Sequence, residues 1–308
     1  MEQLLNQTTI DNGVKLLGEL DVTAQLAGKI ALPLGCLYLT GKALATVWRR
    51  FLGPLLLGEI RWKEMGSWAV VAGASYGIGG EYAKELARRG MNVLIIGHDE
   101  AGLKEVETSI KRMFSVKVKV LKADFSDGMV GFNAAKEAME GLDIGVLVNT
   151  AALDLPAGTF DMMDGGDMKR LIDVNCGTPT VMMSFVLPKM LKKRKGVIIN
   201  FGSFVGEANC PNPTVYPSTK TFCHKLTRDL QVCYQDSGVI FQTVMPGVVG
   251  SPMAYNLPES LLIPKPETYT KSLIKTVGWV DETCGYIPHD LQLATMKVGI
   301  AEVQNCPD

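Results

Sequence analysis

Short apolar runs rich in β-branched residues recur from residue 66 onward, and stretches with helical periodicity separate them. We predict six strands, at 68–72, 91–96, 117–122, 144–149, 197–201 and 239–245. Continuous apolar strands alternating with helices are typical of a parallel sheet that is buried on both faces. The pattern therefore predicts an α/β fold with a doubly wound, Rossmann-like parallel sheet. It also predicts a division into an N-terminal region, 1–65, and one folded domain, 66–308.

A hydrophobic segment lies within the N-terminal region, at residues 30–48, where Lys42 is the only charged residue. A helix of about 19 residues covers roughly 28 Å, close to the hydrocarbon thickness of a bilayer. Two interpretations stay open: a membrane-spanning helix, or an amphipathic helix that lies on the membrane or packs against the domain. Four basic residues follow the segment, Arg49, Arg50, Arg61 and Lys63. The positive-inside tendency then places the C-terminal side in the cytosol.

Composition and charge exclude several other classes of protein. The chain is 47% hydrophobic and 20% charged with a formal net charge of −1, so no nucleic-acid interface is predicted. Its seven cysteines are an odd number without a C-x-x-C pair, which favours reduced thiols facing the cytosol. The three histidines lie far apart in the sequence, and no metal site is predicted.

Three glycines, Gly73, Gly77 and Gly79, follow the first predicted strand and precede a predicted helix that ends at Gly90. Glycine lets the backbone turn sharply and approach a phosphate group closely. The unpaired N–H groups at the start of the following helix favour a negative charge. This strand, loop and helix therefore predict a binding site for a dinucleotide.

Tyr216 and Lys220 lie four residues apart, on the same face if their segment is helical. A nearby positive charge lowers the pKa of a phenol, so we expect Lys220 to tune Tyr216 for proton exchange. Ser203, just after the strand 197–201, can donate a second hydrogen bond to a substrate carbonyl. Together these groups would polarise a carbonyl while a hydride arrives. A second Tyr-x-x-x-Lys, at Tyr38 and Lys42, lies in the N-terminal hydrophobic segment and is interpreted as coincidence.

These motifs resemble, in order and spacing, the short-chain dehydrogenase/reductase family over roughly residues 66–290. The resemblance rests on Ala72 to Gly79, Asn149 to Ala152, Asn175, Ser203, Tyr216 to Lys220, and Pro246-Gly247. Further segments look like the branch that contains 17β-hydroxysteroid dehydrogenases types 3 and 12 and very-long-chain 3-oxoacyl-CoA reductases. The resemblance implies Tyr216 as general acid, Lys220 as its tuner and ribose ligand, and Ser203 as the carbonyl orienter. It implies that Asn175 holds a proton-relay water.

The resemblance also implies a nicotinamide cofactor. The residues expected to bind it are Gly73, Ser75, Tyr76, Gly77, Ile78, Gly79, His98, Asp124, Asn149, Lys220, Pro246, Gly247, Val249 and Ser251. We favour NADP(H), because a protonated His98 can meet a 2′-phosphate. NAD(H) remains an alternative, because Asp99 suits a ribose hydroxyl better.

The main functional hypothesis is reduction of a carbonyl, or the reverse oxidation, on a hydrophobic 3-oxoacyl-CoA or 17-oxo steroid. Apolar segments at 204–211 and 253–264 are expected to line the substrate cleft. The resemblance further implies an enzyme of the endoplasmic reticulum membrane with its catalytic domain facing the cytosol. Pairing as a homodimer through the helices of the Asn175 and Tyr216 segments is a further expectation. The alternative is a catalytically weak cofactor-binding scaffold or lipid-associated regulatory protein.

Overall fold

A parallel sheet of seven strands forms the centre of the fold. The strands are β1 (Trp68–Ala72), β2 (Asn92–Gly97), β3 (Val118–Lys122), β4 (Ile144–Asn149), β5 (Gly196–Phe201), β6 (Val239–Val244) and β7 (Glu282–Thr283). Their order across the sheet is β3-β2-β1-β4-β5-β6-β7, and every neighbouring pair is parallel. The predicted fold class is confirmed. The six predicted strands agree with the observed ones to within one residue at each end.

Helices cover both faces of the sheet. They are α1 (Trp62–Met65), α2 (Gly77–Arg88), α3 (Glu100–Met113), α4 (Met129–Ala138), α5 (Gly165–Ile172), α6 (Thr178–Lys193), α7 (Val215–Cys233), α8 (Pro266–Leu273) and α9 (Ile287–Gln304). Alternate strand residues face opposite layers: Val71 packs in the core beneath α2, α3 and α8, and Val70 packs beneath α4, α6 and α7. The apolar strands are therefore buried on both sides, as their composition predicts.

The order of the strands reverses between β1 and β4. Ala72 at the end of β1 is in register with Asn149 at the end of β4, and Asn149 is in register with Asn200 of β5. Because ligands of open α/β sheets bind beyond the carboxyl ends of the strands at such a reversal, this edge is where a site is expected.

The structure, a computed structural model, describes residues 58–154, 159–208, 214–252 and 257–304, together with separate positions between 29 and 56. The chain divides into a unit of Met1–Leu56 and a larger unit of Leu57–Asp308. Within these described parts, no helix combines the length and the apolar composition that crossing a bilayer requires. Several positions of the predicted hydrophobic segment lie outside the described residues, namely 30, 32, 39, 43 and 46.

Candidate active site

A cavity of about 270 Å³ opens at the carboxyl ends of the strands around the reversal of strand order. Tyr216 and Lys220 line it. So do most of the residues that the sequence analysis assigns to the cofactor, namely Gly73, Ser75, Tyr76, Gly77, Ile78, Gly79, His98, Asp124, Pro246 and Ser251. The fold thus brings predicted cofactor and catalytic residues, which are far apart in the sequence, into one cleft.

The glycine loop between β1 and α2 forms one wall of the cleft. Gly73 has φ +90°, and a side chain there would collide with the backbone of Ala151. A side chain at Gly79 would collide with the carbonyl oxygen of Gly73. The Thr150 hydroxyl lies 2.8 Å from Ala72 O and 3.1 Å from Gly73 O, so it can donate to either and hold the loop against the end of β4. Only glycine fits these two positions without moving the backbone.

The start of α2 fits a negatively charged ligand group. The helix has no side-chain cap, and no acidic residue lies in its first turn. Among the described residues, the buried hydroxyl of Ser75 has no hydrogen-bond partner, although it lines the cleft. Unpaired N–H groups at a helix N-terminus and an unpaired hydroxyl are the donors that a pyrophosphate requires. These residues therefore fit the dinucleotide that the fold family implies.

The far end of the cleft is lined by Asp124, His98 and Arg170. Burial acts to raise the pKa of Asp124, but hydrogen bonds from Ser126 and the charges of His98 and Arg170 bring it below its usual value. Sequence reasoning missed Arg170, which lies on α5 at a distance along the chain that no local motif connects to His98. The Arg170 guanidinium and the His98 imidazole thus both line this end of the cleft.

Asp99 does not reach the cleft, which corrects the expectation that it faces the ribose. Its carboxylate accepts hydrogen bonds from Ala101 N at 3.1 Å and Gly102 N at 3.3 Å. Asp99 is therefore the N-cap of α3. The backbone of its own helix therefore orients the Asp99 carboxylate.

Tyr216, Lys220 and Ser203 meet at the other end of the cleft. The first two lie one turn apart on α7, and the Lys220 ammonium is 5.6 Å from the centre of the Tyr216 ring. The ammonium donates to Phe201 O at 3.3 Å. Ser203 lies two residues after the end of β5 and hydrogen-bonds the phenol of Tyr216. The expected helical face for Tyr216 and Lys220 is thus observed.

Burial dominates the electrostatics of this pair. Burial raises the pKa of Tyr216, Asp154 and Cys223 add to the effect, and the hydrogen bond with Ser203 opposes it. Burial also lowers the pKa of Lys220. Removing the phenolate from water dominates the pKa of Tyr216, and the expected tuning of the phenol by Lys220 stays a prediction. Asp154, which sequence reasoning did not single out, acts on both groups.

Asn175 lies in a π-helical turn, Asp173–Gly177, between α5 and α6. Its amide oxygen accepts from Leu153 N at 2.7 Å, and its amide nitrogen lies 3.0 Å from both Leu153 O and Thr219 Oγ1. These contacts join the loop after β4 to α7, beside Lys220. The expected water-holding role of Asn175 stays a prediction.

Three of the expected cofactor residues lie behind the walls of the cleft. Asn149 donates to Asn200 Oδ1 at 2.8 Å inside the sheet. The backbone N–H of Gly247 donates to His289 Nδ1 at 3.2 Å, and Val249 packs in the core with 5% of its surface exposed. Asn149 and Val249 support the ends of β4 and β6 through their side chains, and Gly247 does so through its backbone. The expected lining residues 209–211 and 253–256 lie outside the described part of the chain.

Comparisons with known proteins agree with this geometry. The family model described as short chain dehydrogenase matches residues 67–261. The very-long-chain 3-oxoacyl-CoA reductase of Anas platyrhynchos is 37% identical over 79% of this chain and 78% of that protein. The protein of the same name from Homo sapiens is 36% identical over 74% of this chain and 73% of its own.

Solved structures share the fold. A structure from a study of 7β-hydroxysteroid dehydrogenase stereoselectivity superposes with a TM-score of 0.72 at 24% identity, covering 79% of this chain and 96% of the other. A short-chain dehydrogenase from Sphingobium yanoikuyae in complex with NADPH has a TM-score of 0.61 at 27% identity, covering 67% and 82%. The resemblance stated from the motifs is confirmed. The chain belongs to the short-chain dehydrogenase family of oxidoreductases.

Proposed function

We propose that the protein reduces the carbonyl group of a hydrophobic 3-oxoacyl-CoA with NADPH. One observation carries the proposal: a phenol, an ammonium and a hydroxyl, from Tyr216, Lys220 and Ser203, meet beside a cleft whose other end fits a dinucleotide. The substrate class is supported by relatives that bear the name very-long-chain 3-oxoacyl-CoA reductase. A 17-oxo steroid is the competing substrate.

In this mechanism Tyr216 is the general acid. Burial raises its pKa, which keeps the phenol protonated at neutral pH and able to give its proton to the oxygen of the substrate. Ser203 donates a hydrogen bond to the same oxygen and stabilises the charge that develops there. The Lys220 ammonium stabilises the phenolate that remains. The bound nicotinamide cofactor supplies the hydride.

The decisive experiment compares Tyr216→Phe with the unmodified protein. NADPH oxidation is followed over a series of 3-oxoacyl-CoA chain lengths and 17-oxo steroids. General acid catalysis contributes about 10² to 10⁴-fold, so we expect a loss of that order with NADPH binding retained. Tyr38→Phe is the matched control, because the Lys42 ammonium lies 4.9 Å from the Tyr38 ring in the same i, i+4 arrangement. Residual turnover within about threefold would contradict the role of Tyr216.

The same experiment tests the rival function, a cofactor-binding scaffold or lipid-associated regulatory protein. A scaffold binds NADPH but turns over neither substrate class. Turnover of 3-oxoacyl-CoA that disappears in Tyr216→Phe contradicts the scaffold. Turnover of steroids alone would replace the substrate class and leave the reductase assignment unchanged.

The choice of NADP(H) is supported by Arg170, a cationic side chain that lines the far end of the cleft beside His98. A 2′-phosphate pairs with a guanidinium through hydrogen bonds between two charged groups, whereas a ribose hydroxyl is neutral and gains less. We expect Arg170→Gln to weaken NADPH about tenfold and leave NADH unchanged, measured by cofactor fluorescence. Lys169→Gln is the control, because Lys169 neighbours Arg170 on α5, is 74% exposed and pairs with Asp173. Tighter binding of NADH than NADPH by the unmodified protein would reverse the choice.

Location and assembly are part of the proposal. The hydrophobic segment 30–48 and the basic residues after it support attachment to the endoplasmic reticulum membrane with the catalytic domain in the cytosol. Deleting residues 1–55 preserves the contacts of Glu59 and Trp62 with Arg89 and should release a folded protein. Membrane retention after deletion would contradict the anchor, and protection from protease in sealed microsomes would contradict the orientation.

The division at residue 66 and the homodimer also remain proposals. Phe222 on α7 is 41% exposed and Ile172 at the end of α5 is 47% exposed, which supports pairing through this region. Light scattering of the deleted protein tests the pairing: a dimer that Phe222→Asp converts to a monomer supports it, and an unmodified monomer contradicts it.

A further inference from the structure

His224 joins three elements around the candidate catalytic residues. It lies on α7, one turn beyond Lys220, and is 7% exposed. Its Nδ1 is 2.5 Å from Glu207 Oε1, at the end of the short 3₁₀ segment Phe204–Glu207 that follows Ser203. On the other side of the ring, Nε2 is 3.3 Å from Glu282 Oε1 of β7.

The partners of His224 favour one charge state. A carboxylate only accepts hydrogen bonds, so Nδ1 donates to Glu207. Within the described residues Nε2 makes no hydrogen bond but faces the Glu282 carboxylate at ion-pair distance, and two flanking carboxylates favour the imidazolium. Glu282 and Glu207 raise the pKa of His224, and burial opposes them. Arg228, a further charged group on α7, also reaches Glu282, at 3.0 Å. No group of three His, Cys, Asp or Glu side chains among the described residues can hold a metal ion, so these are ion pairs.

The segment that carries Ser203 contacts α7 through two side-chain bonds. Thr221 Oγ1 donates to Gly206 O at 2.7 Å, and His224 bonds to Glu207 one residue further on. Ser203 is the N-cap of the segment Phe204–Glu207, and its hydroxyl oxygen accepts a hydrogen bond from Val205 N at 3.4 Å. Tyr216 lies on α7 itself. The separation between Ser203 and Tyr216, which act on one substrate oxygen in the proposed mechanism, therefore depends on how the segment sits against the helix.

We infer that His224 is a positioning residue: held between Glu207 and Glu282, it fixes the Ser203 segment against α7 so that Ser203 and Tyr216 address the same atom. The inference rests on the proposed carbonyl reduction. A misplacement of about 1 Å at a reacting centre costs on the order of 10²-fold in rate. His224 itself touches neither the cleft nor a reacting atom, so it acts through Ser203.

The test is a double-mutant cycle in the full-length protein with His224→Gln, Glu207→Gln and both together. Each single variant should lower kcat about tenfold to hundredfold and leave the affinity for NADPH unchanged. Both changes break the contact between His224 and Glu207, so the double variant should lose little more than His224→Gln alone. Lys225→Gln is the matched control, because Lys225 pairs with Asp229 on the exposed face of α7 with 70% of its side chain accessible.

The pH profile separates positioning from a general effect on stability. In the unmodified protein kcat should fall at alkaline pH as His224 loses its proton. Glu207→Gln should move this limb to lower pH by removing one of the two carboxylates that stabilise the imidazolium, and His224→Gln should abolish it. Should His224→Gln fail to fold, Glu207→Gln alone gives the same test.

The outcomes distinguish this inference from the proposed function. Suppose that Tyr216→Phe loses turnover, but Glu207→Gln keeps its kcat and the alkaline limb of its pH profile does not move. This result would leave the proposed function standing and overturn the role of His224. Fully multiplicative losses in the double variant would also overturn it. Full activity of Tyr216→Phe would overturn the proposed function, whatever the cycle shows.

Discussion

His224 and His289 are both buried beside the cleft, but their partners hold one charged and the other neutral. His289 Nδ1 accepts from the N–H of Gly247 at 3.2 Å, and its Nε2 lies 3.1 Å from Leu262 O. A backbone N–H can only donate and a carbonyl can only accept, so these contacts specify the neutral tautomer protonated at Nε2. Burial, opposed by the backbone hydrogen bonds, lowers the pKa of His289.

The difference shows that one residue type can hold two neighbouring segments beside the cleft through opposite chemistry; the segments contact each other where Phe204 N donates to Pro246 O at 3.1 Å. His224 fastens the segment after β5 to α7 through ion pairs with Glu207 and Glu282. His289 fastens the loop after β6 to the turn around Leu262, and packs edge-on against Tyr286. Carboxylate partners favour the imidazolium, whereas backbone partners and aromatic packing favour the neutral ring. Changes that remove one ring, its partner or its proton should therefore affect the two sites differently.

The largest effect is expected from His289→Ala. This change leaves a cavity where a fully buried ring packed and leaves the N–H of Gly247 without its acceptor. We expect the free energy of unfolding to fall by about 3 kcal/mol, measured by urea denaturation. His98→Ala is the control, because that histidine is exposed, and its effect should stay within about 0.5 kcal/mol. A fall in the free energy of unfolding below about 1 kcal/mol in His289→Ala would contradict the proposal that His289 stabilises the loop after β6.

His224→Leu should cost less, about 1 to 2 kcal/mol, because Glu282 is 37% exposed and water solvates part of the charge that is left. The cause of the stability loss also differs from that in His289→Ala. Leucine has a bulk similar to that of the ring, so no large cavity forms, but Glu207 and Glu282 lose the cation that they share. Adding Glu207→Leu removes one of these charges, so the double variant should regain part of the stability. If the free energy of unfolding of the double variant falls by the sum of the two single effects, His224 is not stabilised by its charge on Glu207 and does not differ from His289 in this respect.

The features that the sequence could predict depend on local pattern. Buried strands such as β1 and β4 appear in the sequence as continuous apolar runs. The requirement for glycine at position 73 follows from its place directly after a strand and before a helix. A spacing of four residues puts Tyr216 and Lys220 on one helix face. β7 has only two residues, too few to form a pattern. The fold, the glycine loop and the Tyr216–Lys220 pair could therefore be predicted from the sequence alone.

The features that the sequence could not predict depend on contacts between distant segments or on burial. Arg170 reaches the same cleft as His98 only through the packing of α5, and no local signal pairs Glu207 with His224. The pKa of Tyr216 depends on how deeply the phenol is buried. Asp99 is different, because a signal existed: an aspartate directly before a helix is a common N-cap.

The smallest effect, and the sharpest test of the comparison, is the pH dependence of stability. The pKa of His224 is raised in the folded state, so its stabilisation is complete below the unfolded value near 6.5 and is lost as pH rises through the folded value. The pKa of His289 is lowered, so its stabilisation is complete above about 6.5 and is lost as pH falls through the folded value.

Unfolding free energies measured between about pH 5.5 and pH 9 should therefore show opposite trends in two glutamine variants. The deficit of His224→Gln relative to the unmodified protein should shrink toward alkaline pH, because deprotonation removes the same ion pairs from the unmodified protein. The deficit of His289→Gln should shrink toward acid pH, because protonation breaks the bond from Gly247 in the unmodified protein. Deficits that shrink in the same direction would show that the two histidines share one charge state, and the contrast between His224 and His289 would fail.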